Sequence, residues 1–272
     1  MLEFLGLKKH SDGSFHFVRE AEGAWSWQHS TASAFYIAVM IGLAVFLGMR
    51  NKNKSIEQKN KVLIYSAFLI DGFEIVKIVV LCIRGQDPFH WLYVLPLFLC
   101  SIQLIAIPMA AFCKGRVKEA CLDFVMVFGI LGAVFGIIGA AQNYSAYPTI
   151  SMDNVFSGIT HAISGFASLY IAISGMMSMK MKNIYITLSI LLSFSVMAYV
   201  ANVILDYNYM FLMHHDGTPY SIFYNLVGGS PVFYPIVVVL LFVVYVIVFY
   251  YTCEFIRRKK QGCQQTHVNN RV

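Results

Sequence analysis

Seven apolar stretches of about 18–23 residues recur along this chain, each the length a helix needs to span a bilayer. They run approximately over 32–49, 62–83, 91–113, 121–141, 155–177, 184–206 and 232–253. At about 1.5 Å of rise per residue, each can cross a hydrocarbon core about 30 Å thick. None shows the apolar/polar alternation of a barrel strand, and open sheet edges cannot be satisfied in lipid. The expected fold is therefore all-α. It is a polytopic membrane helix bundle of about seven transmembrane helices, forming a single domain over 1–272. Composition agrees: 58% of residues are hydrophobic and 12% charged, too few charges to cover a soluble surface.

The net charge of +6 sets topology rather than marking a nucleic-acid partner, because its distribution alternates. "RNKNKSIEQKNK" (50–61), "KGRVK" (114–118), "KMK" (180–182) and "RRKK" (257–260) hold the basic residues, whereas the intervening loops hold Arg84 or none. Basic loops stay cytoplasmic. This predicts an extracytoplasmic N-terminal segment (1–30), a cytoplasmic tail (254–272) and a multi-pass protein of the cell membrane. The N-terminus has no long apolar run and no small-residue cleavage site, so it does not read as a secretory signal. Cys82 and Cys100 fall towards one membrane face and Cys113, Cys121, Cys253 and Cys263 towards the other; no disulfide is read from them.

Polar residues inside the spans are the candidates for function, because ionisable groups in lipid are costly and face a partner or a cavity. "LPLFLCSIQ" (95–103) places Cys100, Ser101 and Gln103 near the outer end of the third span. With that orientation, Cys100 lies about 13 Å deep, His161 about 9 Å and Glu74 about 13 Å. Asn202 and Asp206 fall in the last turns of the sixth span. All share the outer half of the membrane. "AFLIDGFEIVKIVV" puts Asp71, Glu74 and Lys77 at i,i+3 spacing, which is either a self-neutralising pair or a chemical centre. Ser157, His161, Ser164 and Ser168 form one stripe, which is either a packing face or a cavity wall. Gly132 and Gly136 in "GILGAVFGIIGA" read as close helix packing.

A thiol and an imidazole suffice for acyl transfer. The imidazole takes the thiol proton, the thiolate attacks an ester carbonyl, and an amide such as that of Gln103 or Asn202 can receive the oxyanion. A carboxylate such as Glu74 or Asp206 can orient the His. The outer loop 206–231 is aromatic and free of Lys and Arg, as a lid or interfacial cover would be. Its "HHDG" (214–217) does not define a metal site and reads as a solvated turn. No metal and no cofactor are expected; the expected partners are membrane lipids. Oligomeric state is not legible.

"LPLFLC" at 95–100, His161, "NVILDYNYMFL" followed by "NLVGGSPVFYP" within 202–235, and Trp27 with His29 before the first span carry a resemblance. They resemble the bacterial YwaF-like integral membrane family, over about residues 25–253. That family looks related to eukaryotic transmembrane phospholipid acyltransferases and, more distantly, to androgen-induced membrane hydrolases. The resemblance implies Cys100 as nucleophile, His161 as base, and a lipid acyltransferase or esterase activity. The alternative is a proton- or ion-coupled transporter or channel that uses Asp71, Glu74, Lys77 and His161 as a relay. A retinal receptor would want a Lys in the last span, and 232–253 contains none.

Overall fold

The computed structural model describes residues 1–216 and 218–269. Before the first long helix the chain makes a small cap. This consists of α1 (Leu2–Leu5) and a two-stranded antiparallel hairpin, β1 (Lys8–Lys9) with β2 (Phe15–His16), in which Lys8 faces His16. Glu3 ties the cap together by accepting from the backbone N–H of Arg19 and Val18, each at 2.9 Å. Those donors, Arg19 first, hold its carboxyl below the usual carboxylate range.

The helices that follow are α2 (Trp27–Asn51), α3 (Ile56–Arg84), α4 (Gln103–Phe112), α5 (Gly115–Ile137), α6 (Ala141–Ala146), α7 (Met152–Ser174), α8 (Ile184–Leu205), α9 (Ser221–Leu226) and α10 (Phe233–Asn269). Serine side chains cap three of the long ones. Ser26 accepts from His29 N, Ser55 from Gln58 N and Ser151 from Asn154 N, each satisfying an orphan amide at a helix start. Gly175, in the left-handed region at φ 75°, ends α7.

Among the described residues α2, α5, α7, α8 and α10 are long and apolar enough to cross a membrane. Helix α3 covers the expected second span and is 29 residues long, but Asp71, Glu74 and Lys77 interrupt its apolar run. The third expected span is not a continuous helix. After a 3-10 turn at His90–Tyr93, residues 94–102 are irregular, and only α4, 10 residues long, is helical. Pro96 lacks the amide a helix would use, and at about 1.5 Å per residue α4 covers only about half of the hydrocarbon core. Cys100 therefore sits on non-helical backbone, the kind lipid excludes unless protein buries it.

Helices α5 and α7 form the centre, flanked by α2, α3 and α4, with α8 and α10 on a further side. The α5–α7 seam is made of small residues. A Cβ on Gly129 would meet the Ser164 carbonyl oxygen at 2.7 Å, and one on Gly165 would meet the Ala133 methyl at 2.6 Å. The reading of the glycine pattern as close packing holds here.

At one end the seam is pinned by Arg84, which closes α3 and reaches Asp153 in the first turn of α7 through two bonds of 2.6 and 2.7 Å. Its guanidinium packs between the Phe17 and Tyr147 rings, so the cap is anchored to the same ion pair. At the other end, the buried carboxylate of Asp123 on α5 accepts from Ser178 N (3.1 Å), Met179 N (2.7 Å) and the Tyr250 hydroxyl (3.1 Å). Asp123 thus fixes the α7–α8 connection against α10.

The seam yields a direct test. Gly129→Ala should destabilise the bundle by about 1–3 kcal/mol through overpacking. Gly42→Ala, at a position where an added methyl meets nothing within 4 Å, should leave it unchanged or raise it slightly. Thermal melts in detergent micelles measure both; equal midpoints for the two variants would count against the seam.

Candidate functional site

The site is assembled around one face of α5. Gly132 lies against Cys100, such that a Cβ there would stand 3.3 Å from the cysteine Cβ. One turn further along, Gly136 makes room for the His161 imidazole, which a Cβ at that position would overlap. The Gly132 backbone is also a hydrogen-bonding partner for the same ring. Cys100 from the irregular segment and His161 from α7 are therefore brought to successive turns of α5, the first at Gly132 and the second at Gly136. Both residues are partly buried. Glycine is required because any side chain at Gly136 would occupy the imidazole's place.

Lys77 joins them from α3. Its ammonium is paired with both carboxylate oxygens of Glu74, at 2.6 and 2.7 Å, and acts electrostatically on Cys100 and on His161. Glu74 and Lys77 are mostly buried, with side chains 12% and 20% exposed, so the pair faces the bundle rather than the acyl chains. Ser101 offers the sulfur a hydroxyl. From the outer loop, Tyr220 lies within electrostatic reach of the thiol and packs its ring against Phe211 and Phe242.

Gln103 opens α4 one turn beyond Cys100. It is fully buried, and neither its amide nitrogen nor its amide oxygen has a hydrogen-bond partner. The Ser164 hydroxyl on the α7 stripe is also buried and unpaired. Orphaned groups of this kind are rare in folded proteins and call for a ligand, a water or a chemical task.

Asn202 has a different employment. Its amide donates to Tyr209 O (3.0 Å) and accepts from Tyr209 N (2.6 Å), so both of its ends are engaged. Tyr209 in turn donates its hydroxyl proton to Leu92 O (2.6 Å) and accepts from Leu95 N (3.1 Å), and its ring meets Phe98. Asn202 thereby clamps the loop after α8 onto the backbone that carries Cys100. These bonds give it a positioning role, with one amide N–H engaged by Tyr209 O. Asp206 is exposed and caps α8 in the left-handed region at φ 50°. Asp71 neighbours Glu74 on α3.

The "HHDG" turn is held by Asn208, which reaches His214 and Asp216, themselves in side-chain contact; Gly217 lies outside the described residues. Among the described residues no three His, Cys, Asp or Glu side chains gather as a metal site. Cys82, Cys100, Cys113, Cys121 and Cys253 are free thiols, and the Cys263 side chain lies outside the described residues.

Two participants escaped sequence reasoning. The sequence reads Lys77 as a partner for Glu74 or a member of an ion relay, and not as a group beside Cys100, because its direction depends on the rotation of α3. Tyr220 was one of many loop aromatics. No sequence signal separates it from Tyr207 or Tyr224.

These features define an all-helical, multi-pass membrane protein with a polar cluster enclosed by its helices. A sequence model of the TMEM164 family, a family of transmembrane proteins, matches residues 24–251, and the chain belongs to that family. No curated protein and no solved structure matches it.

The clamp can be tested by itself. Tyr209→Phe leaves Leu92 O and Leu95 N without their partner, a loss of about 1–3 kcal/mol for buried groups. Labelling of Cys100 by a membrane-permeant maleimide should accelerate in that variant and in Asn202→Leu. Rates equal to those of the unmodified protein would show that the clamp does not hold the cysteine segment.

Proposed function

We propose that the protein is a membrane-embedded lipid acyltransferase or esterase, in which Cys100 is the nucleophile and His161 the general base. The observation that carries this reading is the approach of both side chains to the Gly132–Gly136 face of α5, in a bundle whose surroundings are lipid. The resemblance to YwaF-like proteins and to transmembrane phospholipid acyltransferases points the same way.

In the proposed reaction His161 takes the Cys100 proton and the thiolate sulfur attacks the carbonyl carbon of a lipid ester. The tetrahedral oxyanion collapses, the ester C–O bond breaks, and the imidazolium returns its proton to the departing alcohol. A thioester on Cys100 remains. An acceptor hydroxyl, or water, then attacks that thioester while His161 removes its proton; the C–S bond breaks and the thiol recovers the proton. Lys77 supplies positive charge facing the negative charge that develops, and the unpaired Gln103 amide supplies a donor for the oxyanion. Glu74 neutralises Lys77 between turnovers, which supports a fixed electrostatic role over an ion relay. A transport reading would instead require that pair to open, and would show itself as pH-dependent flux in liposomes.

Purified protein in nanodiscs, given a reactive lipid ester, should acquire an acyl adduct on Cys100 by mass spectrometry. Cys100→Ala should abolish the adduct, and His161→Ala should slow its formation and its release by about 10²–10⁴-fold, the range of general acid–base catalysis. Lys77→Met combined with Glu74→Gln, which leaves no carboxylate buried without its partner, should slow formation. Turnover unchanged in Cys100→Ala would sink the thiol mechanism.

The orientation belongs to the same reading: N-terminus outside, and the basic loops and tail in the cytoplasm of a cell whose plasma membrane holds the protein. Single cysteines placed in 50–61, 114–118 and 178–183 should resist an impermeant maleimide in intact cells and react after permeabilisation. Ready labelling in intact cells would invert the topology and move the cluster to the inner leaflet.

A further inference from the structure

The broken third span leaves a gap. Because α4 is only 10 residues long, it does not fill the space between α5 and α8, and a crevice of about 270 Å³ opens there. Its floor is buried and apolar, built from Ile102, Ala106 and Cys121, which are 0%, 3% and 1% exposed. Its lip on α8 carries Ser189 and Ser193, both exposed. These serines stand four residues apart, on one face of a helix otherwise written "IYITLSILLSFSV". A Leu or Phe at either position would close the lip. Small residues there hold it open towards the lipid.

The crevice begins at Ile102, two residues beyond Cys100, and descends α4 to Met109. On α5 the level of Cys100 is Gly132 and the far end of the crevice is Cys121, about 16 Å away at the helical rise. The crevice lining is apolar apart from the two serines of the lip, and two of its three walls, α5 and α8, are long and apolar enough to cross a membrane. A headgroup, a peptide or a polar solute would lose its hydration in it without gaining hydrogen bonds. An extended hydrocarbon chain has no hydrogen bonds to lose there.

We infer that this α4–α5–α8 crevice is a binding site for one lipid acyl chain, the chain whose ester carbonyl is presented to Cys100. The inference rests on the acyl-transfer reading for the second half of that statement only. The crevice then acts as a ruler. Its extent, from Ile102 to Met109 along α4, sets how much of a chain it can hold while the carbonyl remains at the thiol.

The test uses full-length protein in nanodiscs containing a phosphatidylcholine with a diazirine near the end of one acyl chain. After irradiation, crosslinked peptides are mapped by mass spectrometry. Crosslinks should concentrate on Ile105, Met109, Ile190 and Phe194. Ser193→Phe and Ser189→Phe, which add volume at a lipid-exposed lip and leave the core untouched, should reduce that yield several-fold with unchanged melting. They should also shift the preference for adduct formation on Cys100 from oleoyl towards octanoyl esters. Crosslinks spread evenly over the lipid-facing sides of α2 and α10, or a yield that Ser193→Phe does not alter, would overturn the inference by showing only bulk lipid contact. Crosslinks focused in the crevice, with no acyl group ever found on Cys100, would retain the chain site and remove the acyl-transfer reading instead.

Discussion

The close approach of α5 and α7 is the constraint on which the other parts depend. In lipid there is no hydrophobic force drawing helices together, so their contact must come from shape and from short-range attraction. Gly129, Ala133 and Gly165 let the two backbones meet, and Ser168 adds a hydroxyl bond of 2.7 Å to the Met126 carbonyl. Once that seam is closed, Gly132 and Gly136 face the two residues of the proposed acyl-transfer pair. Had either glycine been an alanine or a valine, the imidazole or the cysteine segment would have been displaced with the helix. The packing device and the chemical geometry are thus one row of residues read at successive turns.

The ionised groups follow a second rule. Arg84 meets Asp153, Lys77 meets Glu74, and Asp123 collects two backbone amides and a phenol. Each removes a charge from contact with lipid, and each ties elements distant in sequence, except the i,i+3 pair within α3. Among the uncharged groups, Gln103, Ser164 and the Tyr234 hydroxyl are buried and unpaired. Sites that violate local consistency are where function is expected to lie.

Helix length and apolar content made most of the bundle legible in the sequence, because spanning a bilayer imposes both. The exceptions have physical causes. Residues 91–113 are apolar enough to span, but hydropathy does not register the missing amide of Pro96 or the bonds that the Tyr209 hydroxyl donates to Leu92 O and accepts from Leu95 N, which stabilise irregular backbone there. The hairpin at Lys8–His16 was invisible because it is two residues deep on each side. For the cluster, depth could be counted from the helix ends, and Cys100, His161 and Glu74 were placed in one half of the membrane. Helix rotation could not be counted in the same way. That is why Asn202, matched in depth, proves to be engaged with Tyr209, and why Lys77 proves to be paired with Glu74.

The irregular stretch that carries Cys100 has a further consequence. A residue in mid-helix inherits its direction from the whole rod, and re-aiming it means turning the rod against every neighbour. A residue on a short unwound stretch, tethered by a few hydrogen bonds to one loop, can be re-aimed by altering that loop alone. The scaffold and the thiol are thus separately adjustable parts. Substitutions around 206–231 can re-aim the thiol with the α5–α7 seam left as it is.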